Sequence, residues 1–202
     1  MFKLTEYKQP NRLAHRLPWA LLIAPGVVLN KVGSFQATAA FRGPDLFSST
    51  EQELDVVSSQ INNALKRLGS GWAYFIETQR RQCQDYPESN WPNIAAKLVD
   101  KERKSLFAAE GDHYTSAYYL TFSYLPPTES VNKIADRFFM RENGANTINY
   151  EKHLSYFQSE INKIIDVLKS IFPYIKQLDD DQTLTYLHSC VSTKYHSVKC
   201  PK

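Results

Sequence analysis

LLIAPGVVLNKVGSFQATAAFRGPD, residues 21–45, is the longest run in the chain where apolar pattern and turn chemistry agree on one structure. Leu21, Leu22 and Ile23 form a short apolar strand. It ends at Pro25-Gly26, a turn dipeptide because proline fixes φ and glycine accepts a positive one. Val27, Val28, Leu29 and Asn30 make a second run, and Lys31-Val32-Gly33-Ser34 reverses the chain. From Phe35 the side chains alternate, with Phe35, Ala37, Ala39 and Phe41 on one face and Gln36, Thr38, Ala40 and Arg42 on the other. This period of two predicts a strand with one buried face. Gly43-Pro44 closes it, since proline cannot extend a ladder. The rest of the chain then reads as elements packed on the sheet that this hairpin begins.

Downstream, Thr50 and Glu53 have capping-box spacing. Leu54, Val57, Ile61, Ala64, Leu65 and Leu68 follow as one helical stripe, with Gly69 as its stop. Residues 71–77, GWAYFIE, are apolar on both faces at first, which predicts a strand interior to the sheet. A polar connection over residues 84–92 leads to a weaker helix over 94–110. Its charged centre, Asp100-Lys101-Glu102-Arg103-Lys104, reads as a solvated face. Residues 114–125 alternate as a further strand, and Pro126-Pro127 ends it. Asn149 is placed to cap a long helix carrying Leu154, Phe157, Ile161, Ile164, Ile165 and Leu168, stopped near Pro173. Asp179-Asp180-Asp181 reads as a turn, and residues 183–192 as a last strand.

The pattern predicts an α+β fold: a mostly antiparallel sheet built as β-β-α-β, then α-β and α-β, with three main helices packed on it. Residues 1–18 form an exposed arm with Lys3, Lys8, Arg12 and Arg16, and residues 19–192 a single domain. Within that domain, residues 128–149 hold no period for long and read as an irregular excursion. Phe138, Phe139 and Met140 lie there, and as exposed apolar side chains they are candidate partner contacts.

Composition narrows the function classes. At 43% hydrophobic and 22% charged, the 202 residues fall in the ordinary globular class. The longest apolar stretch, residues 17–29, is broken by Pro18, Pro25 and Gly26 and cannot span a bilayer. A net charge of +3 is too small to argue for nucleic acid. Cys83, Cys190 and Cys200 are odd in number and widely spaced, as in a reducing compartment. The sequence holds no G-x-x-x-x-G-K-[ST] loop and no G-x-S-x-G elbow. His188, Cys190, His196 and Cys200 lack the paired spacing of a zinc site, and the three aspartates lack that of a calcium loop. The residues alone therefore predict no catalytic, cofactor or metal site.

Several blocks nonetheless resemble a known family. They are Leu17-Pro18-Trp19-Ala20, Ala24-Pro25-Gly26-Val27-Val28-Leu29-Asn30-Lys31, Phe41-Arg42-Gly43-Pro44-Asp45-Leu46 and Asn62-Asn63-Ala64-Leu65 with Arg67-Leu68-Gly69-Ser70-Gly71-Trp72-Ala73. Two later blocks, Tyr124-Leu125-Pro126-Pro127 and Leu184-Thr185-Tyr186-Leu187-His188-Ser189-Cys190, continue the likeness. Together they resemble the amino-terminal region of the CagE/TrbE/VirB family of type IV secretion and conjugal transfer ATPases, most of all its TrbE branch. The resemblance implies that residues 193–202 lead toward a C-terminal ATPase domain, where ATP and magnesium would bind. It also implies a cytoplasmic domain held at the bacterial inner membrane through partners: a small inner-membrane subunit, other ATPase subunits, and self-association. The expected role is assembly and docking. The alternative is a nucleic-acid-contacting domain of the same machine, which the interleaved charges disfavour.

Overall fold

Strand β3 organises the molecule because both of its edges are paired. In the computed structural model, residues 13–83, 86–111, 113–127 and 147–201 are described, the side chains of 147–150 excepted. In chain order the elements are α1 (Leu13–Arg16), β1 (Trp19–Ala24), β2 (Val27–Asn30), β3 (Phe35–Arg42), α2 (Glu51–Leu65) and β4 (Trp72–Cys83). They continue with α3 (Ile94–Glu110), β5 (His113–Tyr124), α4 (Thr147–Leu168), β6 (Tyr174–Gln177) and α5 (Asp180–Ser189). The sheet is antiparallel and six-stranded, in the order β1-β2-β3-β5-β4, and β6 joins β3 beside β2. β5 faces β3 from Phe35↔Tyr124 to Phe41↔Tyr118. The other edge of β3 is shared, with β2 along Phe35–Ala37 and β6 along Ala39–Arg42. The α+β class and the antiparallel sheet expected from the sequence are what the chain adopts.

One sheet face packs on α4 and α2. Phe35, Ala37 and Ala39 line up with Leu120 and Phe122 against Phe157, Ile161 and Leu168, all buried. The Phe157 ring stacks on Trp72 at 5.4 Å and meets Phe35 at 5.7 Å. Ala64 is the buried residue of α2. Thr50 and Glu53 form the predicted capping box, each satisfying a backbone donor of the other. The helix ends earlier than Gly69, with Lys66 as C-cap.

The second face is also covered, which corrects the expectation of one buried face for β3. Thr38 is buried there, and its hydroxyl lies 2.9 Å from that of Thr121. The cover is α5, where the sequence pattern had suggested a strand over residues 183–192. Alternation failed because Tyr186 and Leu187 are both buried and belong to opposite strand faces. Thr183, Tyr186 and Leu187 recur at i, i+3 and i+4, the helical spacing. Asp179, expected in a turn, is instead the N-cap: its carboxylate accepts from the Gln182 N–H, and the Gln182 side chain accepts from the Asp179 N–H.

Two other boundaries move. Asn149 lies within α4, which begins at Thr147. β6, a strand of four residues directly after Pro173, had no sequence signal. The β1–β2 turn then locks onto the junction of β6 and α5. Gly26, at φ +65°, donates its N–H to Asp180 Oδ1 at 2.7 Å, and a Cβ there would stand 2.2 Å from the Leu178 carbonyl oxygen. The opening hairpin and the last helix are thus held together across the whole chain.

Candidate interaction surface

β4 lies at the edge of the sheet rather than inside it, so its apolar run faces solvent. β4 and β5 pair without a bulge from Trp72↔Tyr124 to Cys83↔His113. β3 stops opposite Tyr118, and beyond that point the described sheet narrows to a two-stranded ribbon. Phe75 is 60% exposed and Ile76 65%, with Tyr74 exposed beside them. Trp72 explains why the stretch looked interior, because it does pack into the core through Phe157 and Tyr124. The charges Arg80 and Arg81, which fall on opposite faces of the strand, were the sequence signal of an edge.

α3 sits at the ribbon's tip and buries no residue. It is anchored at the side of Phe107, whose ring stacks on His113 at 3.6 Å and meets Tyr86 edge-on at 5.5 Å. Tyr86 Oη also donates to Asp100 Oδ1 at 2.8 Å, an acceptor that raises the phenol's pKa. Ile94 (86% exposed), Leu98 (61% exposed) and Leu106 face solvent. The sequence pattern makes those side chains one apolar stripe of a packed helix. The stripe is present, but nothing among the described residues covers it.

On the face toward α5, the ribbon carries an ordered polar row. Gln79 Nε2 donates to Glu77 Oε1 at 2.7 Å, and Arg81 donates to the Gln79 Oε1. Tyr186 Oη donates to Glu77 Oε2 at 2.8 Å, and burial raises that phenol well above the ordinary tyrosine range. Ser189 Oγ donates to Gln79 at 3.1 Å. The Arg81 guanidinium lies 3.8 Å from the centre of the Tyr195 ring. This network fixes the orientation of the strand's charges before any partner arrives.

The residues weighed as metal ligands are dispersed in role. The His188 and His196 rings meet edge-on at 4.1 Å. Cys190 is exposed as a residue, but its sulfur turns toward Glu77 Oε2 at 3.8 Å. Local desolvation and the Glu77 carboxylate push its thiol up to about 11. Cys200 engages Asp181 through its backbone N–H. Among the described residues no three His, Cys, Asp or Glu side chains converge as a metal cradle. The Gly69-Ser70-Gly71 turn does not fit a phosphate. Gly71 stands at φ +85°, its carbonyl accepts from Leu125 N–H at 2.8 Å, and a Cβ there would be 2.6 Å from the Leu125 oxygen. An open groove of about 540 Å³ runs beside Phe41, Tyr118 and Tyr174, with Arg42 as the charged side chain in its wall. Phe138, Phe139 and Met140 lie outside the described residues.

Comparison with known proteins supplies what the geometry does not. Residues 26–132 match the family described as type IV secretion system ATPase VirB4/TrbE, N-terminal domain. The chain is 29% identical over 206 residues to the conjugal transfer protein TrbE of Rhizobium radiobacter, covering 94% of this chain and 25% of that protein. It is 39% identical over 116 residues to a probable conjugal transfer protein TrbE of Sinorhizobium fredii, covering 56% of this chain and 78% of that one. The chain thus spans about a quarter of the length of the first relative. No helix among the described residues is long and apolar enough to cross a membrane. With the matched region taking in the opening hairpin, α2 and the whole β4–α3–β5 ribbon, the chain belongs to the VirB4/TrbE N-terminal domain family of type IV secretion ATPases.

Proposed function

We propose that the chain is an assembly and docking domain that holds a conjugal transfer ATPase at the cytoplasmic face of the bacterial inner membrane. Its partners are a small inner-membrane subunit and neighbouring ATPase subunits, and it carries out no chemistry itself. The observation that supports this reading is the ribbon and α3, where Phe75, Ile76, Ile94 and Leu98 present apolar surface away from the core. Such a surface favours association over solvation by roughly 25 cal/mol per Å² covered. Phe138, Phe139 and Met140 are proposed as a second contact. ATP and magnesium are assigned to a separate RecA-like part of the protein, since the glycine turn here closes on Leu125.

Co-expression of the chain with the small inner-membrane subunit of its transfer system, followed by detergent extraction and affinity capture, tests the proposal. The expected result is co-purification, reduced about tenfold by Ile94→Asp with Leu98→Asp. The melting transition of that variant should stay unchanged, because both positions are exposed. Failure of the unaltered chain to recover the subunit would overturn the docking role. Undiminished recovery by the double variant would remove α3 from the contact.

A further inference from the structure

We infer that the outer edge of β4 pairs antiparallel with the same edge of a second copy, about a two-fold axis at Gln79. The inference deepens the assembly reading and rests on it for its biological use.

The phase of the ladder sets which groups are available. The Gly71 carbonyl accepts from Leu125 N–H, and these two residues continue the β4–β5 register. Odd-numbered residues of β4 therefore form the hydrogen-bonded pairs with β5, because such pairs alternate along an antiparallel ladder. The even-numbered Tyr74, Ile76, Thr78 and Arg80 turn their N–H and C=O groups outward. Among the described residues no strand meets them.

Charge then selects the occupant and the register. With the axis at Gln79, Thr78 pairs with Arg80 of the second copy, even with even as the phase demands. Glu77 then faces Arg81 of the second copy, and Arg81 faces its Glu77. Both fall in non-hydrogen-bonded pairs, where side chains approach most closely. An axis at Arg80 would set that arginine against itself, and one at Thr78 would set Phe75 against Arg81. The Glu77–Gln79–Arg81 row is already ordered along its own strand, so little side-chain freedom is lost on pairing. Arg80 is drawn over the Tyr114 ring at 4.6 Å, on the sheet face and clear of the edge. Proline, a bulge or an inward lysine, the usual guards of an edge strand, do not occur in β4.

Cysteine cross-linking and sedimentation equilibrium test the inference on the 202-residue chain. In a background with Cys83, Cys190 and Cys200 changed to Ser, Gln79→Cys should oxidise to a disulfide-linked dimer, its two Cβ atoms being about 5 Å apart. Tyr74→Cys should not, since its two copies would stand about 30 Å apart. Glu77→Arg and Arg81→Glu should each weaken the dimer about tenfold, and the double exchange should restore it. Glu77 also accepts from Tyr186, so a backbone variant guards against misfolding. Thr78→Pro removes an outward N–H while sparing the ladder with β5, and should give a folded monomer.

A chain that is monomeric at about 100 µM, or a dimer indifferent to Thr78→Pro, would overturn the inference. Recovery of the membrane subunit by Thr78→Pro keeps the two readings apart: an unchanged dimer with undiminished recovery sinks the edge and leaves docking standing. Lost recovery from a chain that never dimerised would give the edge to a strand of that subunit and overturn copy-to-copy pairing.

Discussion

Replacing Gly26 by Ala strikes the place where the first turn and the last helix meet. Two costs follow from the geometry. An alanine held at φ +65° loses about 1 kcal/mol relative to glycine. Its Cβ would also stand 2.2 Å from the Leu178 carbonyl oxygen, which is backbone and cannot swing aside. The turn must withdraw by the better part of an ångström, and that stretches the 2.7 Å bond from Gly26 N–H to the Asp180 carboxylate. A hydrogen bond to a charged group contributes about 1.5–3 kcal/mol. The sum is about 3–4 kcal/mol, a large share of the 5–15 kcal/mol typical of a domain. Urea unfolding followed by tryptophan fluorescence reads it, with Trp19 and Trp72 both packed in the folded chain. Asp180→Ala should lose the hydrogen bond alone, about 1.5–3 kcal/mol. Gly43→Ala, with nothing within 4 Å and no positive φ, should stay within about 0.5 kcal/mol. A Gly26→Ala chain within about 1 kcal/mol of the parent would refute the account of this junction.

Three other outcomes are expected. With its thiol near 11, Cys190 holds about a hundredfold less thiolate at pH 8 than an ordinary cysteine, so mass spectrometry should find it alkylated slowly, and Glu77→Gln should speed the reaction. Burial, aided by Lys152, lowers the His153 pKa, so the unfolded chain binds more protons just below pH 6.5 and stability should fall as pH drops through that window. Melting at pH 7.5 and 5.5 measures this loss, and His153→Asn should shrink it; an equal loss in the variant would exclude His153 as the source. Filter binding to single-stranded DNA should be weak with a shallow salt slope, given a net charge of +3; tight binding with a steep slope would favour the nucleic-acid reading.

The opening hairpin was legible because turn residues and period agree at each of its steps, from Pro25-Gly26 to Gly43-Pro44. The capping box at Thr50 and the stripe from Leu154 to Leu168 were legible for the same reason. β6 was not, since four residues after a proline are too few to show a period. α5 was misread because a helix pressed flat on a sheet buries neighbours such as Tyr186 and Leu187 that strand alternation assigns to opposite faces. The edge position of β4 is a property of strand order, and no local pattern encodes strand order. That is why the ribbon went unseen as a surface while Phe138 and Phe139 were singled out. The apolar stripe of α3 was visible, but that it lacks a partner in this chain emerges only when the sheet is assembled.

The central claim is that the ribbon and α3 meet other subunits, and amine cross-linking with mass spectrometry in cells carrying the rest of the transfer apparatus tests it most directly. Lys97, Lys101 and Lys104 project from exposed positions on α3 and report on that surface. Cross-links from these lysines to the inner-membrane subunit or to other ATPase subunits are the predicted result. Cross-links from them only to residues within the same chain, in cells where the apparatus is assembled and active, would contradict it.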